Sequence, residues 1–215
     1  IMKPHKFKKL GRQNLLIIFQ SMNGHLYKKE NADKFELEGT FSKQENDVSS
    51  CDYLFIKDEP APGSHGGLWY VNPSESAYEL IDFLSKQKKD YNKICATGIS
   101  AGGFASILFG SLCKFDLVLA VDPQTILYDL ETNEKCLKQD GLDDSFFDCK
   151  LHINNVTKYF LYNNCNKKYK ECKPTEKLHH KINSYRLRKF DNVFVERFGG
   201  VASDKWKSIL KNNGF

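Results

Sequence analysis

Ile94-Cys95-Ala96-Thr97-Gly98-Ile99-Ser100-Ala101-Gly102-Gly103-Phe104-Ala105 is the stretch whose reading decides the fold. Lys93 to Ile99 is apolar enough for a buried strand, and Ser100 to Leu112 is a run of small and apolar residues of helical length. Between them lies Gly-x-Ser-x-Gly, from Gly98 to Gly102. A serine in so sharp a strand-to-helix turn needs small neighbours, because bulk at Gly98 or Gly102 collides with the adjoining strand or helix. Such a turn presents the Ser100 hydroxyl at the carboxyl end of a sheet, as a nucleophile or the remnant of one. The amide of Ala101 then points where an oxyanion develops, and the helix adds the positive end of its dipole. Two blander readings compete: a tight structural turn with an idle serine, and a phosphate-binding glycine loop. The second is disfavoured, since no lysine follows and no GxGxxG occurs.

On the N-terminal side, Leu15 to Phe19 has the pattern of a short buried strand, closed by Gln20-Ser21-Met22-Asn23-Gly24. The amide of Ser21 or Met22 is the candidate for a second oxyanion donor. Phe35, Leu37 and Phe41 suggest an edge-like segment around Gly39, and Asp52 to Asp58 is a further strand. It runs into a Pro- and Gly-rich loop, Pro60 to Gly67, that carries His65. Asn72-Pro73-Ser74-Glu75 reads as a helix start, and Ala77, Leu80, Ile81 and Leu84 follow at helical spacing.

On the C-terminal side, Leu117 to Asp122, Val156 to Tyr162 and Asn192 to Phe198 read as strands, and Pro174 to Leu187 as a helix. Ser203 is the expected cap of a terminal helix bearing Trp206, Ile209 and Leu210. Residues 123 to 155 are polar and acidic, with Phe146 and Phe147 as anchors. Strands alternating with helices predict an α/β fold with a mostly parallel sheet covered on both faces. With no repeat and no dividing linker, residues 1–215 are expected to form a single domain.

The 215 residues are 40% hydrophobic and 13% aromatic, enough for a core. The net charge of +5 is spread among interspersed acids, and the basic run Lys3 to Lys9 reads as a solvated leading segment. No nucleic-acid motif accompanies it. No apolar stretch reaches the roughly 18 residues of a membrane span, and no signal-peptide pattern is seen, although the chain starts at Ile1. Of seven cysteines, Cys51, Cys95 and Cys113 lie in or beside apolar segments and read as reduced core residues. Cys136, Cys149, Cys165 and Cys172 fall in a polar stretch, open to disulfides or a metal, but without ligand-like spacing. A cytoplasmic protein with no metal and no cofactor is the expectation. The oligomeric state is not encoded in any of these features.

Gly98-Ile99-Ser100-Ala101-Gly102-Gly103-Phe104-Ala105-Ser106-Ile107-Leu108-Phe109-Gly110, with Val118-Leu119-Ala120-Val121-Asp122-Pro123-Gln124-Thr125, resembles a known family. It is similar to small α/β-hydrolase-like proteins of bacterial capsule and surface-glycan loci, with their GxSxGG(Y/F)xAxLFG helix and AF(N/S/A)PQT strand end. The resemblance spans about residues 14 to 214. It implies a three-layer α/β-hydrolase-like sandwich and esterase or acyltransferase chemistry on an acyl ester of a glycan or its precursor.

Such relatives keep a Gly-His pair after the last strand. The matching stretch here is Arg197-Phe198-Gly199-Gly200-Val201, so Val201 stands where the resemblance calls for histidine. A serine hydroxyl is a poor nucleophile until a base takes its proton. The chain is therefore an inactive descendant, a disabled variant, or an enzyme served by another histidine. His65 is the best substitute, with a role that only lines the pocket as the competing reading. His179 and His180 read as surface residues on a helix flank, and His25 as a surface residue beyond the oxyanion segment. For the acid that orients a base, Glu176 is preferred because Glu176-Lys177-Leu178-His179 resembles the family's acid-x-x-His segment. Asp122, at the end of the strand after the serine helix, is the alternative. A non-catalytic glycan-binding or assembly protein on the same scaffold is the rival reading.

Overall fold

The structure is a computed structural model, and it describes residues 5–21, 34–35, 38, 50–58, 70–71, 74–126, 143–163, 184–197 and 202–215. Seven strands form one sheet: β1 (His5–Lys8), β2 (Asn14–Phe19), β3 (Cys51–Ile56), β4 (Lys93–Ile99), β5 (Leu117–Val121), β6 (Lys158–Asn163) and β7 (Val193–Arg197). Their order is β1-β3-β2-β4-β5-β6-β7. Every pairing is parallel except β1 with β3. The strands of the centre are continuous apolar runs because both faces are covered, as parallel sheets require.

Alternation along each strand separates the two faces. Leu15, Ile17 and Phe19 of β2 join one apolar cluster, while Leu16 and Ile18 join the other. Helices α1 (Ser74–Gln87) and α2 (Ala101–Leu112) cover the first face through Ala77, Leu80, Leu84, Phe104, Leu108 and Phe109. Helix α3 (Ala202–Asn212) covers the second through Trp206 and Leu210. The result is the three-layer α/β arrangement that the alternation of elements predicts. Among the described residues no helix is long and apolar enough to cross a membrane.

Several sequence expectations need correction. The basic run Lys3 to Lys9 is not simply a solvated leader: His5–Lys8 forms the antiparallel edge strand, and Phe7 packs against the first cluster. Its lysines suit an edge, where charge discourages pairing with other chains. Val156 is exposed and precedes β6, which starts at Lys158. Ser203 lies inside the first turn of α3, not at its cap. Ser184–Leu187, expected as the end of a helix, is a short 3-10 turn. Phe146 and Phe147 are buried anchors as expected, in a 3-10 turn at Asp144–Phe147.

Cys51, Cys95 and Cys113 are buried free thiols, and so is Cys149, whose Sγ lies 3.8 Å from the Phe104 carbonyl oxygen. Cys149 is thus a core residue rather than a disulfide or metal partner. Cys136, Cys165 and Cys172 lie outside the described residues. Burial pushes the Cys51 and Cys113 thiols up to about 11 and those of Cys95 and Cys149 well above their ordinary value. In the unfolded chain thiols ionise near 8.5, so above that pH the unfolded state binds fewer protons than the fold. Stability is therefore fully present below about pH 8.5 and is lost progressively toward about pH 11. The urea midpoint is expected to fall between pH 8 and pH 10.5, and a flat midpoint contradicts this burial.

Candidate active site

β2 connects toward one edge of the sheet, whereas the chain after β4 steps toward the other, which places a topological switch point between their carboxyl ends. Ligands of open α/β sheets bind in the crevice at such a point. Register puts Phe19 of β2 beside Gly98 of β4, and Ile99 beside Val121 of β5. Ser21, Ser100 with Ala101, and Asp122 therefore emerge at the carboxyl ends of three neighbouring strands.

Ser100 has φ 53° and ψ −113°, a left-handed φ that a non-glycine residue adopts only under strain. Its amide donates to the Val121 carbonyl at 2.9 Å, and its carbonyl accepts from the Phe104 amide at 3.0 Å. Both backbone groups are thus fixed, one to β5 and one to α2. An ordinary serine N-cap sits in the extended region and accepts a bond from the helix amides. Ser100 does neither, and its hydroxyl makes no capping bond. Ser100 therefore does not serve the helix as an ordinary cap. Ala101 opens α2, where the first amides of a helix lack intrahelical acceptors and carry its positive dipole end.

The two motif glycines are required by close approach. A Cβ on Gly98 would come well inside 3.0 Å of the Gly102 backbone, and one on Gly102 well inside 3.0 Å of the Phe19 carbonyl. The start of α2 is seated directly on the end of β2, which brings the Ala101 amide next to the segment that leads into Ser21.

Asp122 is half-buried, has φ 44°, and its amide donates to the Tyr162 carbonyl at 2.7 Å. A positive φ at a non-glycine residue makes this a second strained joint beside the serine. Pro123 fits because Gly103 has no side chain: a Cβ there would meet Pro123 Cβ at 3.0 Å.

Met22, His65, Glu176 and Val201 lie outside the described residues, as do His25, His179 and His180. The described histidines are elsewhere. His5 packs on Phe83 at 4.9 Å in β1, three strand spacings or about 14 Å from β4. His152 Nε2 is 2.6 Å from the Ser145 carbonyl oxygen. Among the described residues no group of three His, Cys, Asp or Glu is placed to hold a metal. Sequence reasoning overlooked Tyr70, a buried residue with φ 76° at the same sheet edge. No sequence signal marks a tyrosine in left-handed backbone.

No family model and no curated protein matches this sequence. Solved structures do. A capsule O-acetyltransferase of Neisseria meningitidis serogroup A aligns at TM-score 0.63 and 18% identity, over 97% of this chain and 89% of that one. A lipase/esterase from Lactobacillus plantarum aligns at 0.56 and 11% identity, over 100% and 99% of the two chains. Esterase 2 of Thermogutta terrifontis, phosphoramylated by tabun, aligns at 0.56 and 14%, over 95% and 84%. With the strand order and the serine turn described above, these likenesses show that the chain has an α/β-hydrolase-like fold.

Proposed function

We propose that this chain is a serine-dependent acyl-ester enzyme, an esterase or acyltransferase, with Ser100 as its nucleophile. The observation that carries the reading is the backbone of Ser100, strained at φ 53° and ψ −113° with a hydroxyl that caps nothing. Strain of this kind costs on the order of 1–3 kcal/mol and is typically found at functional sites. Ser100 Oγ would attack the acyl carbonyl, and the Ala101 amide with that of Ser21 or Met22 would stabilise the oxyanion. Collapse expels the alcohol and leaves an acyl-serine, which water or an acceptor hydroxyl then cleaves.

His65 is the substitute base, or lines the pocket of a site whose base was lost at Val201, and the orienting acid is Glu176 or Asp122. The substrate class is an acyl ester of a surface glycan or its precursor. That choice is supported by the motif resemblance and by the likeness to the Neisseria capsule O-acetyltransferase. The whole of 1–215 is taken as one domain, working in the cytoplasm without cofactor.

A second reading is favoured by one observation, the valine at 201 where a histidine is expected. It makes the chain a non-catalytic glycan-binding or assembly protein on the same scaffold. Labelling of Ser100 by a fluorophosphonate, absent from Ser100→Ala, separates the two.

A further inference from the structure

Tyr70 is fully buried, lies just ahead of α1, and has φ 76°. For a side chain of this size, left-handed backbone is an outlier that persists only where the surroundings over-determine it. Here they do. Its hydroxyl is 2.8 Å from the Gln20 carbonyl oxygen and 3.1 Å from that of Ile56, and donates to this pair. Those two carbonyls end β2 and β3, and the Gln20 amide donates to the same Ile56 oxygen at 3.0 Å. The phenol therefore closes the ladder at the point where the two strands part.

The ring also reaches the nucleophile's helix. It lies edge-on to Phe19 at 5.4 Å and to Phe109 of α2 at 6.5 Å, and Phe19 stacks on Phe109 at 5.7 Å. One side chain thus ties the end of β2 to the helix that begins just after Ser100.

The Gln20 carbonyl and the Ser21 N–H belong to one planar peptide unit, with the two groups on opposite edges. Holding the oxygen fixes the plane and therefore the direction of the Ser21 N–H. We propose that Tyr70 is a positioning residue for the oxyanion side of the site. Its hydroxyl holds the Gln20–Ser21 peptide so that the Ser21 N–H stands at a fixed place opposite the Ala101 amide. This role rests on the reading of Ser100 as nucleophile. Donors aimed in advance need no reorganisation as charge develops, and misplacement by about 1 Å costs on the order of 100-fold in rate.

Tyr70→Phe keeps the ring contacts and removes the hydroxyl. With a fluorophosphonate as probe, whose phosphoryl oxygen needs the same donors, kinact at Ser100 is expected to fall at least about tenfold. KI is expected to stay within about threefold, since ground-state binding does not use the oxyanion donors. A tyrosine with a purely structural role would lower the melting temperature and leave kinact alone. Equal kinact in a folded Tyr70→Phe, with the wild type labelled, overturns the role of Tyr70 and leaves the serine reading intact. A wild type that is not labelled overturns both. Should Tyr70→Phe not fold, 3,5-difluorotyrosine at position 70 retains the ring and changes only the strength of the donor. An unchanged kinact there overturns the proposal, and a change of twofold or more supports it.

Discussion

Gly102→Ala is expected to destabilise the protein by about 3 kcal/mol or more, although alanine is normally the better helix residue by roughly 0.5–1 kcal/mol. The clash decides the sign. The added Cβ would press well inside 3.0 Å on the Phe19 carbonyl oxygen, with the Phe19 carbonyl carbon at 2.9 Å and that of Gln20 at 3.0 Å. All three are backbone atoms of a buried strand end and have no rotamer through which to yield. Either α2 lifts off β2 or β2 is pushed from its register, and both displace the Ala101 amide. For a chain of this size the melting temperature is expected to drop by roughly 6–12 °C, with Ser100 reactivity lost in whatever remains folded. Gly110→Ala is the comparison: its Cβ would meet the Val118 Cγ2 side-chain atom rather than backbone. Its loss is expected to be smaller, and an equal loss contradicts the close-approach account.

Val201→His is expected to raise hydrolysis of p-nitrophenyl acetate by about 100-fold or more, the range in which positioned acid–base groups act. The resemblance places the family's histidine at this position, and an imidazole there would take the Ser100 proton and return it to the leaving alcohol. Because histidine titrates near 6.5, the gained activity should fall as pH drops through that value and the imidazole protonates. The control is Val201→His combined with Ser100→Ala, which should return to the background rate. No gain in a correctly folded Val201→His contradicts the assignment of position 201 to the site.

The sheet was legible where both its faces are covered. Leu15 to Phe19, Lys93 to Ile99 and Leu117 to Val121 are near-continuous apolar runs, and burial on two sides leaves little else that such runs of strand length represent. The serine turn was legible for a different reason: Gly98 and Gly102 face backbone too closely for any side chain, so the motif records a steric requirement. β1 was not legible. At a half-exposed edge a four-residue strand needs one apolar contact, supplied by Phe7, and its lysines resemble those of any solvated segment. Cys149 was misjudged because its neighbours in sequence are charged while its neighbours in space are Phe104 and Thr125. Tyr70 and Asp122 escaped notice as strained positions because positive φ without glycine leaves no trace in composition.

The central claim is that Ser100 is an activated nucleophile and not a relic of one. Incubation of the folded wild-type chain with a fluorophosphonate, followed by intact mass measurement and peptide mapping, tests it directly. The account predicts a single phosphonyl adduct on Ser100, formed faster above about pH 6.5 than below it, and absent from Ser100→Ala. A folded protein that acquires no adduct at Ser100, or acquires it equally in Ser100→Ala at another residue, contradicts the account.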